Sequence, residues 1–216
     1  YINSPQTMIY DKSRILFGLD KAKMTIRNSK FVIVVEGQMD VITAHQHSFK
    51  NVIASSGTAL TETQLQILKR YTHNIALAFD MDEAGKMAAD RGIQEGLKQE
   101  MNIKVITLSG GKGPDELIRE NPQEFQNAIH NASHIMDYYF QTLFEDLDLG
   151  EVEGKREAAK RMLPIITKID NKIEKDEWIR RLAETINTDE RYIREALPKK
   201  KSKKEILKKL DLKKGN

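Results

Sequence analysis

Acidic residues follow three apolar runs of this 216-residue sequence, and their types and spacing suit metal chemistry. The acidic side chains that come shortly after these runs are Glu36, Asp40, Asp80, Asp82 and Asp115. Two carboxylates about 4 Å apart repel each other by roughly 4 kcal/mol at an effective dielectric constant of about 20, unless a cation or a proton neutralises them. If folding brings several of these residues together, we expect them to bind a divalent metal ion.

Asp80 and Asp82 form the pair best suited to holding a cation. One residue separates them, so at the end of an extended strand both side chains point to the same side. An Asx turn at Asp80 is a structural alternative, but it accounts for one aspartate and not for both. Glu36 and Asp40 have a structural alternative as well, because a Glu-Gly turn followed by a carboxylate at a helix N-terminus is favourable without any metal.

Glycine-containing turns after two apolar runs are candidates for phosphate binding. Gly57 and Thr58 follow one run, and Lys112 lies in a glycine-rich stretch after another. Such turns let backbone N–H groups approach a phosphate, and Lys112 would add a positive charge. Ordinary tight turns explain the same residues, so both interpretations stay open.

The elements that must position these residues are strands alternating with helices. Strands are predicted near residues 31–35, 51–55, 74–79 and 103–108, and helices near 39–49, 61–71 and 84–100. This alternation predicts βαβ units and a mainly parallel sheet covered on both faces. The carboxyl ends of parallel strands open onto one edge, where the acidic residues would converge. The predicted fold class is α/β, a mainly parallel sheet with flanking helices.

After Pro122 the strand pattern stops, and apolar residues recur every three or four positions. We expect one helix through 125–143, a second over 155–169 with a kink or end at Pro164, a third over 175–186, and a fourth capped by Thr188. This predicts an all-helical subdomain whose core contains Phe140, Leu143, Trp178 and Leu182. The expected organisation is a lead-in segment at 1–29 with a helix from about 13 to 27, the α/β domain at 30–120, the helical subdomain at 121–198 and a basic tail or linker at 199–216.

Composition excludes several classes of protein. The sequence has no cysteine, so structural disulfides and thiolate zinc sites are excluded, and a cytoplasmic location is expected. No run approaches the roughly 20 apolar residues that span a bilayer, so no membrane association is expected. The tail is basic through lysines that include Lys199, Lys200, Lys201, Lys203 and Lys204. It is interpreted as a solvated end or as a segment attracted to nucleic-acid phosphates.

Taken in order, the motifs resemble the TOPRIM fold and, within it, the bacterial replicative primases of the DnaG type. The segments that carry this resemblance are 34–41 (VVEGQMDV), 54–61 (ASSGTALT), 79–85 (FDMDEAG) and 113–118 (GPDELI). It extends to residues 1–7, 16–22 and 153–156, so it covers nearly the whole chain. The combination is more specific than the glutamate and Asp-x-Asp motif that all TOPRIM proteins share.

The resemblance implies metal-dependent synthesis of short RNA primers from ribonucleoside triphosphates on a single-stranded DNA template. Glu36, Asp80 and Asp82 would be the catalytic residues and would hold Mg²⁺ or Mn²⁺. Asp40 and Asp115 would complete the acidic pocket as metal ligands or would hold the metal ligands in place. The expected location is the bacterial cytoplasm, in association with the nucleoid.

The chain departs from the family pattern in two ways. The family usually has Asp-Pro-Asp where this chain has Gly113-Pro114-Asp115, so one acidic group for an additional metal is missing. The cysteines of the family's zinc ribbon are absent, so zinc is expected only in a domain outside this chain. A preceding basic subdomain and a C-terminal domain that binds the replicative helicase are also expected to lie outside it. The chain is therefore interpreted as a fragment of a longer primase.

Other functions compatible with the acidic residues remain open. A TOPRIM nuclease would use the same metals to activate water instead of a primer hydroxyl, and cleavage of plain DNA or RNA would favour it. A non-catalytic TOPRIM scaffold would fail to bind Mg²⁺ or Mn²⁺. A type IA topoisomerase would need a tyrosine on a further domain, and receiver domains and haloacid-dehalogenase phosphatases carry their acidic pair after the first strand rather than the third.

Overall fold

The computed structural model describes residue 7 and residues 11–56, 59–78, 92–108 and 112–197. The chain divides into two compact units. The first comprises Tyr1–Glu145 with Lys168–Asn171, and the second comprises Asp146–Thr167 with Lys172–Asn216. No helix in the described ranges is long and apolar enough to cross a membrane.

The first unit alternates strands and helices, as the sequence predicts. Its elements are α1 (Leu19–Ser29), β1 (Val32–Val35), α2 (Gln38–Gln46), β2 (Val52–Ala54), α3 (Glu62–Lys69), β3 (Asn74–Leu77), α4 (residues 92–98), β4 (Asn102–Val105), α5 (Pro114–Glu120), α6 (Pro122–His130), β5 (Ser133–His134) and α7 (Ile135–Thr142). Each of the four predicted strands overlaps a strand of the structure but is longer than it. Apolar residues next to the strands are still buried although they no longer pair in the sheet, and they extended the predictions.

The strands form one sheet in the order β2-β1-β3-β4-β5. The first four strands pair in parallel, and β5 pairs antiparallel with β4. All four residues of β1 are buried, as expected for a strand covered on both faces. This confirms the predicted α/β class, and it makes β1 and β3 direct neighbours.

The core on one face of the sheet includes residues beyond the predicted domain end at 120. Phe125 of α6 is fully buried in the cluster that contains Ile33 and Ala76, and its ring packs edge-on against Phe49 with centroids 5.0 Å apart. Residues 121–145 therefore belong to the sheet unit, and the division of the structure falls after Glu145.

A continuous helix through 125–143 is wrong, because the structure interrupts it. The α6 helix ends at His130, and Ser133–His134 pair with β4 before α7 begins. A strand of two residues is too short to produce an alternating apolar pattern, so periodicity alone extended the helix across it.

The segment before β1 is held onto the sheet unit. Phe17 forms an antiparallel bridge with Ala54, the last residue of β2. Gln64 is fully buried, and its Nε2 donates hydrogen bonds to the carbonyl oxygens of Lys12 and Ile15 at 3.0 and 2.8 Å. The helix predicted from residue 13 begins instead at Leu19, after the bridge and a left-handed Gly18 with φ of 82°.

The second unit is helical, with α8 (Val152–Thr167), α9 (Lys172–Thr185) and α10 (Glu190–Ala196). Its core includes Met162, Ile166, Ile179, Leu182 and Ile193. The division of the chain separates the predicted core group, because Phe140 and Leu143 fall in the sheet unit and Trp178 and Leu182 in the helical unit.

Two local predictions for the helical unit also differ from the structure. The α8 helix continues past Pro164 to Thr167, so the alternative of an end at Pro164 is wrong, and the helix stops two residues before the predicted end at 169. The N-cap of α10 is Asp189 and not Thr188, because Asp189 Oδ1 accepts the backbone N–H of Arg191 at 2.9 Å.

Candidate metal centre

Glu36 directly follows β1 and lies at the carboxyl edge of the sheet. The strand before it is fixed on both sides, by β2 and by β3. Gly37 then has an extended backbone (φ −97°, ψ 154°) and is the N-cap of α2. The half-buried Glu36 carboxylate is therefore carried by the turn between a buried strand and a helix, a position where α/β folds commonly bind ligands.

The neighbouring strand β3 leads toward the Asp80–Asp82 pair. The backbone N–H of Ala78, just after β3, donates to Val34 O at 3.0 Å. Residues 79–91 lie outside the described part of the chain, so the positions of Asp80 and Asp82 are not described. What the structure establishes is that the chain enters this segment beside the end of the strand that carries Glu36.

Asp40 braces the turn that carries Glu36. Its Oδ2 accepts the backbone N–H of Gly37 at 2.9 Å, and its Oδ1 accepts the backbone N–H of Asp115 at 3.1 Å. A Cβ atom at residue 37 would lie 2.8 Å from Asp40 Oδ2, so a larger residue there would have to displace the Asp40 carboxylate. Both carboxylate oxygens of Asp40 are thus used to join two turns.

Asp115 lies in the first turn of α5, after Gly113 as N-cap and Pro114. Its Oδ1 accepts a hydrogen bond from Thr43 Oγ1 at 2.5 Å and forms an ion pair with Arg119 Nε at 2.8 Å. The structure therefore joins Asp40 of α2 to Asp115 of α5 through a backbone N–H, and Thr43 of α2 adds a second hydrogen bond between the same helices.

Thr43 and Arg119 are members of this network that sequence reasoning did not identify. Thr43 is 1% exposed although it is polar. The spacing in the sequence could have identified both residues. Thr43 lies three residues after Asp40 and Arg119 lies four residues after Asp115, and both spacings bring side chains together on a helix.

The predicted phosphate-binding and nucleic-acid-binding residues are only partly described. Lys112 forms an ion pair with Glu120, and this hydrogen bond raises the pKa of Lys112 above its ordinary value. Gly57 and Thr58 lie outside the described residues, as do Lys199, Lys200, Lys201, Lys203 and Lys204.

Within the described ranges, no group of three or more histidine, aspartate or glutamate side chains has the arrangement of a metal site. The oxygen donors that are present still suit Mg²⁺ or Mn²⁺, which prefer carboxylate ligands. Glu36 lies at the edge of the sheet toward which β3 also runs. A centre built on Glu36 would draw its other ligands from the segment that contains Asp80 and Asp82.

Comparison with known protein families gives two matches along the chain. Residues 33–118 match the Toprim-like family, and residues 136–191 match the DnaB-helicase binding domain of primase. The second match corrects the expectation that the family's helicase-binding domain lies wholly outside this chain, because it falls on α7, on the α8 and α9 helices and on the start of α10.

The curated proteins similar to this chain include bacterial DNA primases. The chain is 38% identical over 195 residues to the DNA primase of Clostridium acetobutylicum, covering 89% of the chain and 32% of that protein. It is 31% identical over 197 residues to the DNA primase of Synechococcus elongatus, covering 88% of the chain and 28% of that protein. The chain thus spans about a third of the length of these relatives.

Solved structures with a similar fold include a DNA primase domain from Pseudomonas aeruginosa. That domain has a TM-score of 0.81 and 32% identity, over 90% of this chain and 62% of the other. A DnaG primase catalytic domain bound to single-stranded DNA has a TM-score of 0.78 and 29% identity, over 89% of this chain and 62% of the other.

Proposed function

We propose, from the premise that this chain belongs with the bacterial DnaG-type DNA primases, that it forms the metal-binding part of a primase that synthesises RNA primers on single-stranded DNA. The observation that carries the proposal is the pairing of β1 with β3, which brings the strand before Glu36 beside the strand before Asp80 and Asp82. Ribonucleoside triphosphates would be the substrates of this nucleotidyl transfer.

Glu36, Asp80 and Asp82 would hold Mg²⁺ or Mn²⁺. When bound, the metal would favour deprotonation of the primer 3′-hydroxyl, stabilise negative charge on the α-phosphate and assist the departing pyrophosphate. The carboxylates would supply the negative charge that holds the cation. The hydrogen bond from the backbone N–H of Gly37 to Asp40 Oδ2 restrains the turn that carries Glu36.

Asp40 and Asp115 would position this centre. The hydrogen bonds that Asp40 accepts from Gly37 and Asp115 hold the Glu36 turn against α5. Thr43 and Arg119 orient the Asp115 carboxylate in turn. In this proposal Asp40 and Asp115 support the centre and do not bind the metal themselves. Direct metal ligation is the alternative, and mutation can distinguish the two roles.

The helical unit would contribute to binding of the replicative helicase. The match to the helicase-binding domain model covers most of this unit. Large apolar side chains are exposed on each of its helices: Val152 at 79%, Ile173 at 84% and Tyr192 at 63%. A contiguous patch of such side chains would favour a protein contact. The protein would act in the cytoplasm, in association with the nucleoid.

Calorimetric titration with Mn²⁺ and a ribonucleoside triphosphate tests the metal centre. We expect metal-dependent nucleotide binding in the wild type, and loss of that binding in Asp80→Asn and Asp82→Asn with unchanged unfolding curves. Asp20→Asn is a matched control, because Asp20 is an exposed carboxylate on α1. Wild-type affinity in both Asp80→Asn and Asp82→Asn would refute the proposal.

Incubation with plain DNA and RNA separates primase from nuclease. The proposal predicts that neither is cleaved in Mg²⁺ or Mn²⁺. Cleavage that Asp80→Asn abolishes would assign the same centre to a TOPRIM nuclease instead, and absence of any metal binding would assign a scaffold role.

A further inference from the structure

A cavity of about 500 Å³ lies at the amino edge of the sheet. It is lined by Phe31, just before β1, and by Asn74 and Asn102, the first residues of β3 and β4. A strand rises about 3.3 Å per residue, so the four residues of β1 separate this edge from Glu36 by more than 10 Å. The cavity is therefore distinct from the candidate metal centre.

The floor of the cavity is one face of the sheet. The register pairs Asn74 with Asn102 and Ala76 with Lys104, and these residues point to the same face because they alternate along the strands. Ile129 of α6 and Ala132 line the cavity as well. The small side chains of Ala76 and Ala132 leave open the space between sheet and helix, and the surface there is largely apolar.

The charged residues among the described residues that line the cavity are two lysines. Lys30 and Lys104 line it together with the imidazole of His130, and no carboxylate is among these described lining residues. Among the described residues, neither Lys30 nor Lys104 takes part in an ion pair. Unpaired lysines beside an apolar floor favour a ligand that carries negative charge at one end and an apolar body at the other.

Amide groups form a fixed polar wall beside this floor. Asn102 Nδ2 donates to Asn74 Oδ1 at 2.9 Å, and Asn74 Nδ2 donates to Lys30 O at 2.8 Å. Thr72 Oγ1 donates to the same carbonyl at 2.6 Å. These bonds hold the amides in place, so their remaining polar atoms can contact a ligand without prior reordering.

We propose that this cavity is a second ligand site that binds a nucleoside phosphate. The volume lies within the range of about 300–1,000 Å³ that is typical of small-molecule sites. The base would lie on the apolar floor, the asparagine amides would contact its edge, and Lys30 and Lys104 would bind the phosphates. No metal ion is needed, because the two lysines neutralise the negative charge of the phosphates. The proposal does not depend on the primase assignment.

Titration calorimetry with ADP and GDP in the presence of EDTA tests this site. EDTA removes the divalent cations, so binding at the proposed metal centre is suppressed and the two sites are distinguished. We expect saturable one-to-one binding of at least one of these nucleotides, unchanged in Asp80→Asn. Absence of saturable binding by either nucleotide at millimolar concentration would overturn the proposal.

Variants at the lysines locate the binding. Lys104→Ala and Lys30→Asn should each weaken binding about tenfold, which is the effect of losing one charge-assisted hydrogen bond. Asparagine is chosen at residue 30 because the backbone there has φ of 60°, a conformation that asparagine tolerates. Lys23→Ala on exposed α1 is the control and should leave the affinity unchanged. Equal affinity in all of these variants would refute the site.

Two further measurements test the shape of the ligand. Ala132→Phe should abolish binding by filling the cavity, and a circular dichroism spectrum checks that the variant folds. Inorganic pyrophosphate should bind at least tenfold more weakly than the nucleotide. If pyrophosphate binds equally well, or if an acidic peptide ending in phenylalanine displaces the nucleotide and binds more tightly, the assigned ligand class is wrong.

Discussion

The Oδ1 atom of Asp40 accepts a hydrogen bond from the backbone N–H of Asp115 at 3.1 Å, which joins the turn after β1 to the first turn of α5. The two residues are 75 positions apart in the chain. Because the other oxygen of Asp40 accepts the N–H of Gly37, one carboxylate sets the distance between the Glu36 turn and α5.

Replacing Asp40 separates a positioning role from metal ligation. Asp40→Ala should lower the free energy of unfolding by roughly 2–4 kcal/mol, because two backbone N–H groups lose a charged acceptor. Asp40→Asn keeps one oxygen acceptor and should cost about half as much. Urea unfolding measures both, and Mn²⁺ titration of the folded variants shows the effect on the site.

A direct ligand would behave differently at this position. If Asp40→Asn removed Mn²⁺ binding while its unfolding curve stayed that of the wild type, Asp40 would be a ligand and not a brace. Asp20→Ala serves as the control for both measurements, since Asp20 is an exposed carboxylate of α1.

Gln64 should hold residues 11–18 against the sheet unit. Gln64→Ala removes the donor to Lys12 O and Ile15 O and leaves a small cavity at a fully buried position, with an expected loss of roughly 2–4 kcal/mol. Hydrogen exchange should quicken at the amide of Phe17, which donates to Ala54 O. Gln66→Ala, on the exposed side of the same helix, should change neither quantity.

Asp189 should make the helical unit sensitive to acid. The hydrogen bond from Arg191 lowers the pKa of Asp189 to about 2, below the unfolded value of about 3.9. Because the folded pKa is the lower one, the stabilisation is complete above about pH 4 and is lost as the pH falls from about 4 toward about 2. Melting temperatures across this range measure it.

Asp189→Asn is the matched variant for the acid effect, since asparagine also caps helices but carries no charge. The variant should melt below the wild type at neutral pH, and the difference should shrink as the pH falls through this range. A constant difference would show that the Asp189 charge does not contribute.

Limited proteolysis should cut at residues 143–151 before it cuts at residues 118–124. Residues 143–151 lie between α7 and α8, whereas residues 118–124 lead into the buried Phe125. Mass spectrometry of the first fragments identifies the site. Initial cleavage at 118–124 that releases two folded pieces would instead support a domain boundary near residue 120.

Deleting residues 199–216 tests the basic tail. The deletion removes nine lysines and two acidic residues, so binding of single-stranded DNA should weaken and its salt dependence should flatten as fewer counterions are released. Affinity for Mn²⁺ and nucleotide should not change. An unaltered salt slope in fluorescence anisotropy would show that the tail does not contact the nucleic acid.

The sequence by itself determined the class of fold and the candidate metal residues. Short runs of β-branched residues such as those of β1 indicate strands covered on both faces, and their alternation with helical segments predicts a parallel sheet between helices. Acidic residues directly after such runs are therefore expected at the carboxyl edge of the sheet. Local composition and spacing carry both features, so neither depends on contacts between residues far apart in the chain.

Tertiary structure decided the features that depend on residues far apart in the chain. The contact between Asp40 and Asp115 and the burial of Phe125 against Phe49 arise from packing that no local pattern encodes. The two-residue β5 forms because β4 offers it a free edge, although its own sequence carries no strand signal. For the same reason, the amino-edge cavity exists only because three strands place Phe31, Asn74 and Asn102 side by side.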